Sequence, residues 1–525
     1  MSSILCYVAP LDARLTIEPP KDLLQSVYEK LQATDQPSQL PVGVCEMVEE
    51  IVLQPFHSDD TKQTALSLDI LVLLFLPTSN NDTQPQRSRK ETQKRMQPFI
   101  DQLIRVWHEY PDPATQLLAQ AVQSKCIDAS SFNSQQVYDG ILQHITRMQQ
   151  QDPTAEYMTK TTIGHLLHLI KQVTKVVPPL VPGDSSCPLW DDTTVLTFVL
   201  SQTSTHPEDC ARILWNGAIT APTLLAQDPL TWNYIRSSWQ EEDTPSIMAA
   251  IIGNLVSGAP EYLLVPHYAW LTPFLCGQLL ASEHLPPTPE HDATLRRIVR
   301  TLRCMGPATV VQYAPSIYLR ALVSVMPHSG SAPSTRTMLV CQTLTPLVAL
   351  APLEQRRLHC PTLQLKLIDL MTMDDDDQNP DASPQTLAVT CECLLATITA
   401  SPWTTSFSCF PNVLFQQLLS SRGDETLVTA AHALVSHLVQ LPEADIHVCQ
   451  SPAMLELISR RVRNKEAQET AIEQLTQIAS PRTLPLLAAD EHVLSALIHV
   501  CNAAIDVAAS KAAAKQLIVR LIPEL

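Results

Sequence analysis

Two histidines, two cysteines, a run of aspartates and a set of arginines are the residues whose types and spacing could do chemistry. His165 and His168 stand three apart in IGHLLHLI. On a helix that spacing offers two imidazoles to a metal, but no nearby Cys or acid completes a ligand set, so they read as core-edge or solvated histidines. Cys391 and Cys393 point about 200° apart on a helix, which suits packing better than a shared metal. Asp374 to Asp377 could attract a basic segment or a divalent cation, yet four like charges beside prolines read as a solvated loop. Phosphate-cradling loops need closely spaced glycines followed by Lys-Ser/Thr, and Gly253 to Gly258 is followed by Ala-Pro. There is no GxSxG elbow, no HExxH pair and no EF-hand loop, so the common hydrolytic and metal chemistries have no local signature and the expected class is non-enzymatic.

The pattern that remains is TLRRIVRTLRCMGP at 294–307. Helical spacing turns Leu295, Ile298, Val299 and Leu302 to a core and leaves Arg296, Arg300 and Arg303 on the opposite face at i, i+4 and i+7. Guanidinium groups pair bidentately with carboxylates, so an acidic partner helix or tail is the ligand this stripe suits. A second basic cluster, QRSRKETQKR at 86–95, reads as a loop.

The elements that must position these residues are helices. Apolar residues recur at three- and four-residue intervals, as in Leu23, Leu24, Val27, Leu31 and in Phe99, Leu103, Val106, Trp107, and strand-like alternation is absent. The chain has 525 residues, of which 11 are Gly and 42 Pro, about 2% and 8% against typical values of ~7% and ~5%. Few glycines argue against sandwiches, barrels and dinucleotide folds. The prolines often follow Ser, as at Ser451-Pro452 and Ser480-Pro481, where Ser can cap a helix and Pro suits its first position.

These helices repeat. TLAVTCECLLATITASP at 386–402 overlays TLVTAAHALVSHLVQLP at 426–442 at an offset of 40, with Leu394 and Leu434 as anchors. The same pattern marks Leu255, Leu302, Leu344, Leu394, Leu434, Leu475 and Leu517, at spacings of 47, 42, 50, 40, 41 and 42, each followed within eight residues by a Pro. A period of ~40–47 residues is that of armadillo and HEAT repeats, so the expected fold is an all-α, right-handed armadillo/HEAT-like solenoid of stacked short helices. CARILWNGAITAP at 210–222 stays in step with 248–260 at an offset of 38. The organisation expected is a helical amino-terminal region over 1–190, either divergent repeats of the same stack or a part outside it, with loops near 77–95 and 176–188. A repeat array over 191–525 follows, with an acidic insertion at 371–385. In armadillo-like stacks the last helix of each repeat lines the concave groove, which would place the arginine stripe there.

The formal charge of −18 disfavours nucleic-acid phosphate and anionic lipid and favours protein partners with basic patches, the local stripe being an exception. The longest apolar run, Ile70 to Leu76, is far short of the ~20 residues that span a bilayer. The first residues lack a signal-peptide pattern, and the 14 cysteines include no CxxC pair, so the expectation is an intracellular protein with reduced thiols. No cofactor and no metal are expected, and the unbound protein is expected to be a monomer in the cytoplasm, with the nucleus a second compartment.

Two family patterns bear on function. Import adaptors of the importin-α type carry a Trp-x-x-x-Asn ladder on the groove helices, whereas here only Asn254 fits, with Ala250 in place of Trp. The corresponding later positions are Thr301, Thr343, Cys393, Ala433 and Gln474. The order of repeat endings is IIGNLVSGAP, VRTLRCMGP, TLTPLVALAP and CLLATITASPW, including the Pro402-Trp403 pair. It resembles that of the proteasome non-ATPase regulatory subunit 5 family over roughly residues 245–460. That resemblance implies a chaperone that holds an AAA+ ATPase subunit of the proteasome regulatory particle during base assembly. The alternative reading is an armadillo-type scaffold or adaptor in another complex.

Overall fold

A computed structural model describes residues 21–33, 48–49, 52, 61–75, 99–107, 109–123, 132–150, 160–176, 188–190, 193–239, 245–284, 288–326, 335–371, 384–401, 425–440, 444–502 and 508–524. The expected loop at 77–95, the one at 176–188 apart from its end residues Val176 and Pro188, the Asp374 to Asp377 run and Pro402-Trp403 lie outside these residues. Among the described residues all regular structure is helical, and the chain divides into two compact units, 1–263 and 264–525.

The first unit contains α1 (Lys21–Gln32), α2 (Thr61–Phe75), α3 (Ile100–Val106), α4 (Pro111–Gln123), α5 (Phe132–Gln150) and α6 (Lys160–Val176). It continues through α7 (Thr193–Ser201), α8 (Pro207–Thr220), α9 (Pro222–Gln227), α10 (Pro229–Ser238) and α11 (Pro245–Gly258). Helices α1, α2, α4, α6, α8 and α11 pack each against the next in a single row. This is how a chain without a central core buries its apolar stripes: each helix covers one neighbour and is covered by the other. Asn216 of α8 ties two members of the row together by donating to Thr174 Oγ1 of α6 at 3.0 Å. Close approach also depends on Gly217, where a Cβ would sit 2.7 Å from the Trp190 ring.

In the second unit lie α12 (Glu261–Ala281) from Leu264 onward, α13 (Pro289–Met305), α14 (Pro307–Tyr313), α15 (Tyr318–Ser324), α16 (Thr335–Leu350), α17 (Leu353–Met371) and α18 (Pro384–Ala400). Helices α19 (Glu425–Leu438), α20 (Ala444–Cys449), α21 (Pro452–Arg463), α22 (Gln468–Ile478), α23 (Leu484–Ala489), α24 (Glu491–Asn502) and α25 (Ala508–Leu521) complete it. Here α13, α16, α18 and α19 form one row, and α22 packs on α25 in the corresponding places. A second layer pairs α15 with α17 and α21 with α24. The chain is a helical-repeat solenoid, as the ~40-residue period predicts, and all seven anchor leucines are buried in its helix rows.

Proline works in two ways. It opens α8, α9, α10, α13, α14 and α21 at the first positions, where its missing N–H is no loss. Thr288, Asp228 and Ser451 cap α13, α10 and α21 by accepting from His291, Leu230 and Met454 N–H groups. The Ser480-Pro481 pair does not open a helix as expected: Thr483 Oγ1 bonds within a turn there, and α23 begins at Leu484. Proline also sits inside helices, at Pro266 and Pro273 of α12, Pro346 of α16 and Pro361 of α17. Pro266 and Pro346 are exposed and the other two half-exposed, so the backbone carbonyls they leave without an i+4 donor can turn to water.

Cations from neighbouring helices close several helix ends. Lys366 Nζ of α17 donates to Val323 O at 3.0 Å in the last turn of α15, Arg356 Nη1 donates to Ala400 O at 2.9 Å at the end of α18, and Arg520 Nη2 donates to Ala479 O beyond α22. Each meets a carbonyl in or just beyond the last turn of a helix, at the negative end of its dipole, which couples neighbouring helices as well as capping them.

Leu434 is fully buried on α19, which packs on α18. Leu434→Ala is expected to cost about 2–5 kcal/mol and Leu434→Asp more, because the carboxylate would be buried without a partner. Urea unfolding followed by helical circular dichroism checks this; an unchanged midpoint for both variants would place Leu434 outside the inter-helix core.

Candidate functional site

Helix α13 carries the arginine stripe, and its local sequence accounts for its shape. Thr288 caps it, Glu290 and Asp292 meet the positive end of its dipole, and Arg303 lies in the last turn. Gly306 ends it at φ 84°, a conformation that favours glycine. Leu295, Ile298, Val299 and Leu302 are buried, as the spacing predicts.

The structure brings Arg296, Arg300 and Arg303 to the outward side of α13 and gives each a different setting. Arg296 Nε pairs with Asp292 Oδ2 at 3.0 Å one turn earlier. Arg303 Nη1 donates to Gln342 Oε1 of α16, a neutral acceptor that positions the guanidinium and leaves its charge intact. Arg300 is exposed and has no hydrogen-bond or ion-pair partner among the described residues. Sequence reasoning missed Arg336 of α16, whose Nη1 pairs with Asp292 Oδ1 at 2.8 Å. Two guanidiniums therefore share one carboxylate, and the α13–α16 pair keeps a local surplus of positive charge within an acidic chain. The Asp292-to-Arg296 spacing was visible in the sequence; Arg336 lies 44 residues from Asp292 and becomes a neighbour only through helix stacking.

A second arginine cluster ends α21. Arg461 Nη1 donates to Ser436 Oγ of α19 at 2.9 Å and to Gln474 Oε1 of α22 at 3.0 Å, joining three helices. Arg463 Nη2 donates to Ser495 Oγ of α24 at 2.9 Å, and Arg460 pairs with Glu456 at 2.8 Å. Burial and the Arg461 charge push His432 of α19 down to about 4.

The remaining candidates are placed as follows. His168 lies within 3.4 Å of the Gln172 amide on α6, and burial first, then Lys171, holds its pKa below the usual imidazole value. No group of three or more His, Cys, Asp or Glu able to hold a metal occurs among the described residues. Cys391 and Cys393 are both buried on α18, and burial pushes the Cys391 thiol up to about 12. Cys391 matches the buried Ala431 of the next repeat, whereas Ala433, aligned with Cys393, is exposed. The other positions aligned with Asn254, namely Thr301, Thr343, Cys393 and Gln474, are buried; the two threonines bond to carbonyls of their own helices, at Arg297 and Leu339. They pack helices and do not form a ladder for a peptide. Among the described residues, no helix is long and apolar enough to cross a membrane. The basic segment at 86–95 lies outside the described residues.

No protein-family model matches the chain, and a search of curated protein sequences returns no match. Among solved structures the chain is similar to She4p, at 12% identity and a TM-score of 0.48 over 99% of this chain and 73% of that one. An engineered protein matches at 14% identity and 0.46, over 81% of this chain and 98% of its own. SYS-1 matches at 10% and 0.42, over 99% and 90%. At these values the likeness assigns no function, and the solenoid class rests on the helix rows.

His432 generates a pH prediction. Its folded pKa lies below the unfolded value of about 6.5, so between pH 6.5 and 4 the unfolded chain binds more protons and stability falls as pH falls. The contribution is fully present above pH 6.5 and is lost toward pH 4. His168 and His359 act in the same direction. Urea midpoints measured across this range should fall less steeply for His432→Gln than for the native protein; equal slopes would show that burial and Arg461 do not hold His432 below its ordinary value.

Proposed function

We propose that this protein is a non-catalytic, protein-binding solenoid, and more narrowly a chaperone for assembly of the proteasome regulatory-particle base that holds an AAA+ ATPase subunit. The observation that carries the binding reading is the unneutralised arginine surface of α13, where Arg300 has no partner among the described residues and Arg296 shares its carboxylate with Arg336. A helix face charged for solubility alone would be served equally well by internal acid–base pairs. An exposed guanidinium surplus, held on a stacked helix pair, suits carboxylates of a partner. An extended surface of this kind reaches micromolar to nanomolar affinity without a deep pocket.

The narrower reading is supported by the sequence of repeat endings between residues 245 and 460, together with the repeat architecture. The second reading is a scaffold or adaptor of another complex, which the same arginine surface would serve. Protein partners, with neither nucleic acid nor membrane among them, accord with the overall charge of −18, and the cytoplasm, with the nucleus as a second compartment, is the proposed location.

Purification of the tagged protein from its native cells in ATP-containing buffer, followed by mass spectrometry, tests both readings. Proteasome ATPase subunits without the proteolytic core are the expected companions; a different reproducible partner would overturn the chaperone reading in favour of the scaffold. The double variant Arg296→Glu and Arg300→Glu should weaken capture of that partner at least ~10-fold, since charged hydrogen bonds contribute about 1.5–3 kcal/mol each, while leaving helicity unchanged. Equal affinity at matched ionic strength would make the stripe ordinary surface.

A further inference from the structure

We infer that the α13–α16 surface takes a segment in which a cluster of carboxylates is followed by bulky apolar side chains. This rests on the arginine surface being a binding site and adds the second half of its ligand. Gln342, which accepts from Arg303, is followed on the same face of α16 by Pro346 and Ala349, at i+4 and i+7. Both are exposed, and Leu350 beside them is 51% exposed. The arginine stripe therefore passes through Gln342 into an apolar strip with no charged side chain of its own.

The backbone adds a third feature. Pro346 has no N–H, so the Gln342 carbonyl lacks its helical i+4 donor on the face that the stripe and the strip share. A ligand backbone amide lying there would find an acceptor already desatisfied by the helix. Charge sets the polarity of the occupant. Arg300 is without a partner among the described residues, and Asp292 is divided between Arg296 and Arg336, so carboxylates are drawn to α13 and the apolar residues fall over Pro346, Ala349 and Leu350. A basic or uniformly acidic segment would satisfy at most one of the two halves.

Fluorescence anisotropy with the full-length protein and three labelled 14-residue peptides tests this. The first has six Glu followed by Leu-Phe-Leu in a Gly-Ser background, the second has the same six Glu without the apolar residues, and the third has Lys in place of Glu with Leu-Phe-Leu retained. The first is expected to bind at least ~10-fold more tightly than either of the others. Leu350→Ala should bring its affinity down to that of the second peptide while leaving the second unchanged; Arg300→Glu should weaken both Glu peptides. Leu350 is exposed, and a melting curve matching that of the native protein confirms that Leu350→Ala folds.

Equal binding of the first two peptides would overturn the apolar half and leave the acidic-partner reading standing. Equal binding of the Lys peptide would overturn the charge argument. Failure of all three to bind would overturn the inference; if native purification still yields a partner whose capture Arg296→Glu and Arg300→Glu weakens, the binding role of the surface survives that failure.

Discussion

The structure depends on the helices of each row being covered by their neighbours. An isolated helix of ten to twenty residues is marginal in water, and its stability here comes from apolar stripes pressed between adjacent repeats. Leu302 on α13, Leu344 on α16, Leu394 on α18 and Leu434 on α19 are the buried points along one such row. The outward faces are consequently free of packing duty. That freedom is what lets α13 carry arginines where a core would permit none.

Polar groups are arranged so that stacking and satisfaction reinforce each other. Asn216 reaches the preceding helix of its row, Arg461 joins α19 and α22 from α21, and Arg356 and Lys366 close helix ends that lie on other elements. A cation bound to the end of a neighbouring helix resists sliding of one repeat past the next, since its acceptor carbonyls occur only at that end. The buried thiols, by contrast, behave as small hydrophobes: burial pushes Cys210, Cys276 and Cys391 up to about 12, far from the thiolate form that would make them reactive.

The same division explains which local rules held. Pro at the first turn of α8, α10 or α21 loses nothing; the start of α21 was legible from Ser451-Pro452, whereas the same pair of residue types at 480–481 lies in a turn. Pro346 and Pro266 were less legible, because their tolerance depends on the exposed side of a long helix, where water replaces the missing donor. Cys393 and Ala433 occupy equal places in the repeat, yet one is buried and the other exposed. The alignment carries the register of the helix but not how far each neighbour covers it.

Periodicity alone determined that the chain is helical, that its units recur about every 40 residues, which leucines face inward and that Arg296, Arg300 and Arg303 face outward. All of these follow from 3.6 residues per turn and the exclusion of apolar side chains from water, which act within a single helix. Only the tertiary structure decided how charged that outward face remains. Arg336 meets Asp292 across 44 residues of chain, Gln342 receives Arg303 across 39, and Arg300 is left with neither. Those partnerships arise from the rotation and spacing of one stacked helix against the next, which the side-chain pattern of either helix alone does not contain.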